Sequence, residues 1–365
     1  MQLTTKHRVA VLLHQGIHDG TGKTGLSFIR YGIAPVVAVI DADCAGESLA
    51  QVAGIEQDIP IVASVAEALT YEPDVLLIGL APSGGLLPED WWQEVKQGVL
   101  AGLSVVNGLH TPMVTMVEEL PSQRLAKGQW IWDIRQEPKG LGIGGGRARS
   151  LPCQRILTVG TDMAVGKMST SLELWKAAQR KGIKTGFVAT GQAGLMIAGR
   201  GVPLDAVRVD FAAGAVEKAV LEVGADCDLL LIEGQGSLLH PGSTATLPLI
   251  RGSQPTGLIL VHRAGQKTIN RCPDVSIPPL PEVVRLYETV ARAGGAFGET
   301  PVRGIALNTF HLGAEEAQEA IAQIREETGL PCTDVVRFGG EVLLAALDGE
   351  SGIGNGQSGQ VKTQI

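Results

Sequence analysis

Lys167 stands in the run in which chemistry is most legible, Gly160-Thr-Asp-Met-Ala-Val-Gly166-Lys167-Met168-Ser169-Thr170. A loop bounded by glycines turns successive backbone N–H groups toward one point. The helix that follows adds its positive N-terminal end, and lysine adds a mobile charge. Phosphate oxygens suit all three. The run is close to G-x-x-x-x-G-K-[ST], with one extra residue between the glycines. Gly160, Thr161, Asp162, Ala164, Val165, Gly166, Lys167, Met168, Ser169 and Thr170 are therefore the expected phosphate- and cofactor-binding residues. Met168 stands where a Ser or Thr hydroxyl ordinarily binds Mg²⁺. Phosphate binding survives that change, whereas metal binding loses its usual hydroxyl.

A second signal is Cys227-Asp-Leu-Leu-Leu-Ile-Glu233-Gly-Gln-Gly236. Consecutive large aliphatic residues form a central strand, and the carboxylate at its end is where a nucleotide-binding sheet holds Mg²⁺ or its water. His240 follows closely and could take a proton from an attacking amine, against a purely structural histidine. Glu233, His240 and Lys167 make up the expected catalytic set. Asp210, just before a helix expected near Phe211, is either its cap or a metal ligand, so Glu233 and Asp210 are the metal candidates if Mg²⁺ is used. Arg200 and Arg263 carry the planar guanidinium that suits a substrate carboxylate. His262, at a strand end, and Gln192, in a tight loop, complete the substrate-facing candidates.

A third, weaker signal is Gly20-Thr-Gly22-Lys-Thr-Gly25, which fits G-x-G-x-x-G, with Asp41 ending the next strand where a dinucleotide fold holds a ribose. Gly20, Gly22, Gly25 and Asp41 are the cofactor candidates here. However, five residues separate His14 from Gly20, whereas the fingerprint starts at the strand end. A Rossmann-like scaffold with a glycine-rich turn is favoured over a bound nucleotide, and NAD(P) is not expected. Gly16 to Lys23 repeats the spacing of Gly160 to Lys167, in a poorer strand-to-helix context.

These residues need elements to position them. Buried strands are expected at residues 8–14, 36–40, 59–62, 74–79 and 104–107, with helices at 64–69 and 88–101. The Trp91-Trp92 pair is read as packing, and His110 as a loop histidine just past a strand. Strands at 156–160, 184–190, 228–232, 256–262 and 302–308 alternate with helices at 168–181, 280–293, 315–328 and 341–347. Such alternation implies parallel sheets. The expected fold is α/β in two domains: a Rossmann-like parallel sheet over residues 1–135, a linker at 136–152, a P-loop nucleotide-binding sheet over 153–348 and a flexible tail at 349–365.

At 365 residues, two domains are affordable in size. A net charge of −8 gives no electrostatic case for nucleic acid or an anionic membrane. No apolar run approaches a membrane span, and the N-terminus lacks the apolar core of a signal peptide. The five scattered cysteines form no C-x-x-C pair, which fits a reducing cytoplasm. Apolar helices such as 88–101 point to a homo-oligomer.

The loop at Gly160 and the Glu233-Gly-Gln-Gly segment resemble those of dethiobiotin synthetase, which activates carboxylates with ATP. Together with Thr190-Gly-Gln-Ala-Gly-Leu-Met-Ile-Ala-Gly-Arg-Gly201, Glu233-Gly-Gln-Gly-Ser-Leu-Leu-His-Pro241 and Gly252-Ser-Gln-Pro255, they identify the chain as similar to one bacterial and archaeal family. That family joins a Rossmann-like half to a dethiobiotin-synthetase-like P-loop half and was long a domain of unknown function. The Met after the lysine belongs to its pattern. Some members are regarded as D-glutamate N-acetyltransferases that use acetyl-CoA beside an enolase-superfamily racemase. The resemblance implies N-acylation of a D-amino acid such as D-glutamate, with acetyl-CoA or ATP at the P-loop and the racemase as pathway partner. An ATP- and Mg²⁺-dependent ligase or kinase is the runner-up, and a non-catalytic nucleotide sensor the third reading. Met168 favours transfer over ligation, and Glu233 favours either enzyme over the sensor.

Overall fold

Strands that are apolar on both faces need helices on both faces of their sheet, which is the parallel arrangement. In a computed structural model that describes residues 1–82, 86–114 and 125–347, the chain builds two such sheets. The expected tail at 349–365 lies outside the described residues.

The first sheet contains β1 (Val9–Leu12), β2 (Val36–Ile40), β3 (Ile61–Val62), β4 (Val75–Ile78), β5 (Ser104–Asn107) and β6 (Ile131–Asp133). All its pairings are parallel, in the order β3-β2-β1-β4-β5-β6. The direction of winding reverses between β1 and β4, as in doubly wound folds. The Lys23–Tyr31 helix crosses β1 and β4 closely. Gly25 N donates to Gly79 O at 2.9 Å, and a Cβ at Gly25 would lie 2.9 Å from Gly79 Cα. A Cβ at Gly22 would lie 2.6 Å from Gly16 O. Gly25 thus permits helix-on-sheet packing, and Gly22 the close passage beside the short helix that starts at Gly16.

The second sheet contains β7 (Gln154–Gly160), β8 (Thr185–Val188), β9 (Leu229–Ile232) and β10 (Gly257–Arg263). A small antiparallel pair, β11 (Thr268–Ile269) and β12 (Cys272–Ser276), stands outside it, and β13 (Val302–Asn308) and β14 (Cys332–Thr333) complete it. The order is β14-β13-β10-β7-β9-β8, again parallel. β7 lies between β9 and β10, pairing Leu157 with Ile232 and Gly160 with Val261. The Gly160 loop, Glu233 and His262 therefore leave the sheet at one carboxyl edge.

One apolar cluster runs through both halves, joining Val11, Leu13 and Phe28 to Leu172, Leu195 and Met196. The Lys23–Tyr31 helix packs on the Gln192–Ala198 helix, and Gln192 Nε2 reaches Thr24 Oγ1 at 3.5 Å. The expected linker is tied down: Gly145 N and Arg147 N donate to the buried Glu217 carboxylate, and Arg147 Nη2 pairs with it at 2.9 Å.

Candidate active site

The phosphate loop is braced from outside. Gly160 O accepts from the Tyr287 hydroxyl at 2.7 Å, and Val165 O accepts from Asn308 Nδ2 at 3.0 Å. Asp162 Oδ2 accepts from Gln266 Nε2 at 2.6 Å and Asn270 N at 2.7 Å. Thr161 Oγ1 bonds His262 Nδ1 at 2.9 Å. Gly166, at φ 114°, turns the chain in a conformation that favours glycine, and the Lys167–Arg180 helix starts at the next residue. Lys167 is buried, and its Nζ donates to Asp162 O at 2.7 Å. Burial pulls its ammonium down to about 8, against the opposing pull of Asp162 and Glu233. A Cβ at Gly160 would stand 3.0 Å from that Nζ, so the first glycine also makes room for the lysine.

Glu233 leaves β9 into a tight turn. Gly234 N donates to Thr158 Oγ1 at 2.9 Å, and a Cβ at Gly234 would fall 1.7 Å from Thr158 O. Only glycine lets the chain pass there beside the P-loop strand. Glu233 Oε2 accepts from Thr190 N at 2.9 Å and Gly191 N at 3.4 Å. Among the described residues no group donates to Oε1. Burial raises the carboxyl to about 7; the two amides and Lys167 oppose that rise and Asp205 adds to it.

A cleft of about 580 Å³ opens over the loop. Met163, Ala164, Gly166, Lys167, Met168 and Ser169 form its floor, Gly234–Gln235–Gly236 one side, and Arg263, Asn308 and Phe310 another. The remaining wall comes from the N-terminal half: Lys23, Leu26, Ser27, Arg30 and Tyr31. An adjoining slot of about 400 Å³ is largely apolar, between Val165, Val261, Leu307, Phe310 and Val335, with Asp334 and Arg337 at hand. A mostly apolar slot thus adjoins a cleft lined by four cations, Lys23, Arg30, Lys167 and Arg263.

Family models match both halves: a Rossmann-like domain of unknown function, DUF1611_N, over residues 42–137, and the P-loop domain of DUF1611 over residues 142–344. A crystal structure of a DUF1611 family protein from Anabaena variabilis superposes with a TM-score of 0.89 at 61% identity, covering 94% of this chain and 100% of that one. The chain belongs to the DUF1611 family. Two curated relatives are named D-glutamate N-acetyltransferase. One, from Tritonibacter scottomollicae, is 36% identical over 285 residues; the other, from a Pseudoalteromonas species, is 34% identical over the same length. Each match covers 78% of this chain and 84% of the relative.

The other sequence-derived candidates of this DUF1611 protein are scattered. Arg263 lines the cleft, with its guanidinium carbon 5.7 Å from the Phe310 ring centre. His262 does not line it. Its Nδ1 is engaged by Thr161, burial holds it down at about 4, and its ring borders a separate depression with Gln266 and Glu327. It braces the loop as a neutral imidazole. Asp162 and Thr161 likewise spend their side chains on bracing. Arg200 is exposed and outside the cleft lining, and Gln192 packs at the junction of the two halves. His240 is in a surface turn where its Nδ1 accepts from Gly242 N at 3.0 Å, and it lines neither the cleft nor the slot. The short turn after Glu233 carries the chain outward instead of back.

Asp210 is not the helix cap. It lies exposed in the first turn of the Val209–Gly224 helix, whose cap position is Arg208, and its charge suits the positive helix end there. Among the described residues, no group of three or more His, Cys, Asp or Glu side chains is placed to hold a metal ion. In the N-terminal half, Asp41 Oδ1 accepts from Gln15 N and Asp43 N, both at 3.2 Å, and so fastens the turn after β2. Gly20 ends a short helix at φ 79°. His110 hydrogen-bonds Arg135, whose Nε stands 3.3 Å from Asp205 Oδ2. Among the described residues no helix is long and apolar enough to cross a membrane.

Several site residues have roles the sequence does not show. Gly194, part of the Thr190–Gly201 motif, is one: a Cβ there would fall 2.3 Å from Glu233 Oε2. Asn308 and Tyr287 brace the loop from distant strands and helices, and Tyr31 and Arg30 arrive from the other half. Lys23 had a hint in its glycine spacing, and it lines the cleft together with the P-loop residues.

Proposed function

We propose that this protein transfers an acetyl group from acetyl-CoA to the amine of a D-amino acid, with D-glutamate the first candidate. The observation that carries this reading is Glu233: a buried carboxyl, raised to about 7, fixed by two amides beside the phosphate-loop lysine; it is not itself in the cleft lining but immediately precedes Gly234, which is. A base whose pKa lies near the working pH serves proton transfer well. The names of the two curated relatives agree with it. In the transfer the amine nitrogen attacks the thioester carbonyl, the C–N bond forms and the C–S bond breaks. Glu233 takes the proton shed by the nitrogen and returns it to the departing thiolate. Lys167 and the loop amides neutralise the donor's phosphates, and Arg263 pairs with an acceptor carboxylate. Met168 offers a neutral thioether, a poor partner for Mg²⁺, so the loop is read as metal-independent.

The test is an acetylation assay with purified protein, acetyl-CoA and a panel of D- and L-amino acids, run with and without Mg²⁺ and ATP. The expected result is thiol release dependent on an acidic D-amino acid and insensitive to EDTA. Phosphate or ADP release that requires ATP, with no thiol release from acetyl-CoA, would replace this reading with a carboxylate-activating ligase.

A further inference from the structure

The cleft holds more positive charge than one phosphate group calls for. Four cations line it, Lys23, Arg30, Lys167 and Arg263, and no carboxylate does, in a chain of net charge −8. Two of the four come from the N-terminal half. Lys23, Ser27 and Arg30 follow at i, i+4 and i+7 of one helix, so they share one face, and that face closes the cleft. Lys23 forms no ion pair among the described residues. Arg30 makes one long hydrogen bond, Nη2 to Gly54 O at 3.4 Å, which leaves most of its five donors free.

Polar atoms in the same lining also lack partners. The Tyr31 hydroxyl is buried; Glu173 and Ser169 are near it, yet no hydrogen bond of normal geometry forms. Arg263 Nε, in the same lining, is also buried without a partner. Buried polar atoms without partners are uncommon in folded proteins, and a ligand group is one way to satisfy them. The helix is fixed in place: Lys176 Nζ lies 4.4 Å from the Tyr31 ring centre and donates to Arg30 O at 3.4 Å, and Gln192 reaches Thr24.

We infer that the Lys23–Tyr31 helix forms a second anion subsite, so that the active site is built from both domains. Lys23, Arg30 and the Tyr31 hydroxyl bind an anionic group other than the phosphates held by the Gly160–Lys167 loop. Naming that group rests on the acetyl-transfer reading: it is either the ribose phosphate of a CoA-type donor or the side-chain carboxylate of an acidic acceptor.

The full-length protein is compared with Lys23→Glu/Arg30→Glu, with the milder Lys23→Ala/Arg30→Ala, and with Tyr31→Phe. Calorimetric titration uses CoA and 3′-dephospho-CoA, and steady-state kinetics use D-glutamate. Melting curves establish that each variant is folded; both cations are exposed, so the alanine pair keeps the test available if charge reversal disturbs folding. At least a tenfold loss of CoA affinity on charge reversal, with 3′-dephospho-CoA unaffected, supports the subsite and assigns the ribose phosphate. Unchanged CoA affinity with at least a tenfold rise in KM for D-glutamate and kcat retained supports it and assigns the carboxylate. Tyr31→Phe should weaken the same ligand roughly two- to tenfold, as for one hydrogen bond. If folded variants match wild type for both ligands while Lys167→Ala loses CoA, the subsite is wrong and the functional reading stands. If wild type binds ATP and not CoA, the functional reading fails. The same double variant then decides the subsite by its ATP affinity: a tenfold loss upholds it, and no change overturns it.

Discussion

Gly194 and Glu233 are fitted to one another: a Cβ on residue 194 would stand 2.3 Å from Glu233 Oε2. The missing side chain lets the Gln192–Ala198 helix come close enough for the amides of Thr190 and Gly191 to hold the carboxylate. Gly194→Ala should therefore displace Glu233 more than it unfolds the helix, because alanine gains roughly 0.5–1 kcal/mol of helix propensity over glycine. Expected are a melting temperature within a few degrees of wild type and a large fall in kcat. A variant with full activity would show that the carboxylate's position is immaterial.

Glu233→Gln removes the proposed base while keeping shape. The rate should fall about 10²- to 10⁴-fold, the usual cost of losing a general base, with CoA affinity preserved. Wild-type kcat should rise with pH through about 7 as Glu233 ionises. Pre-steady-state thiol release across pH 5.5–8.5, a range chosen to bracket that value, is the measurement. A flat profile would remove Glu233 from the chemistry.

The same carboxyl makes stability depend on pH. Its folded pKa, about 7, lies above the ordinary value of roughly 4.3. Between these values the folded state binds a proton that the unfolded chain has lost. Unfolding free energy should fall as pH rises through that window, by on the order of 3 kcal/mol, and level off above it. Lys167, held down at about 8, acts in the next window. From there to its ordinary value of about 10.4, the unfolded chain binds the extra proton, and stability should rise with pH. Denaturant titrations of wild type and Glu233→Gln at several pH values check this; parallel curves below pH 7 would contradict the assignment.

Lys167→Ala should weaken CoA about 10- to 150-fold, the range for a hydrogen bond to a charged group, without unfolding the chain. The loop keeps its braces from Tyr287, Asn308 and Gln266. Met168→Thr should add Mg²⁺ affinity with no gain in turnover. Titration calorimetry with and without EDTA addresses both; wild-type affinity in the alanine variant would make the loop merely structural.

Gly25→Ala separates packing from binding in the N-terminal half. The new Cβ would meet backbone at Gly79 Cα, 2.9 Å away, and backbone cannot swing aside. A destabilisation of about 1–3 kcal/mol is expected, as for overpacking, and any loss of CoA affinity should accompany it, since the same helix carries Lys23 and Arg30 into the cleft. Denaturant unfolding and calorimetry report the two separately. Selective loss of ligand binding at full stability would restore a nucleotide role to this run.

The phosphate loop, the strand ending at Glu233 and the alternation that gives two parallel sheets were all legible in the sequence. Each is local: glycine spacing, a lysine at a helix start and aliphatic runs act over a few residues of chain. What stayed hidden is everything set by contacts between distant segments. Glu233 owes its amides to residues 190 and 191, and its room to Gly194. His240, near it in sequence, is turned away to bond Gly242, and His262, at an attractive strand end, is consumed in holding Thr161. The Gly22 and Gly25 spacing read as a scaffold turn in preference to a nucleotide site, and only the fold shows what crowds them: Gly16 O at Gly22 and Gly79 Cα at Gly25. The sequence alone determined that a P-loop exists and on which strand the carboxylate ends. Tertiary packing decided which groups share its cleft, because one apolar core runs through both halves and presses the Lys23–Tyr31 helix against the P-loop domain.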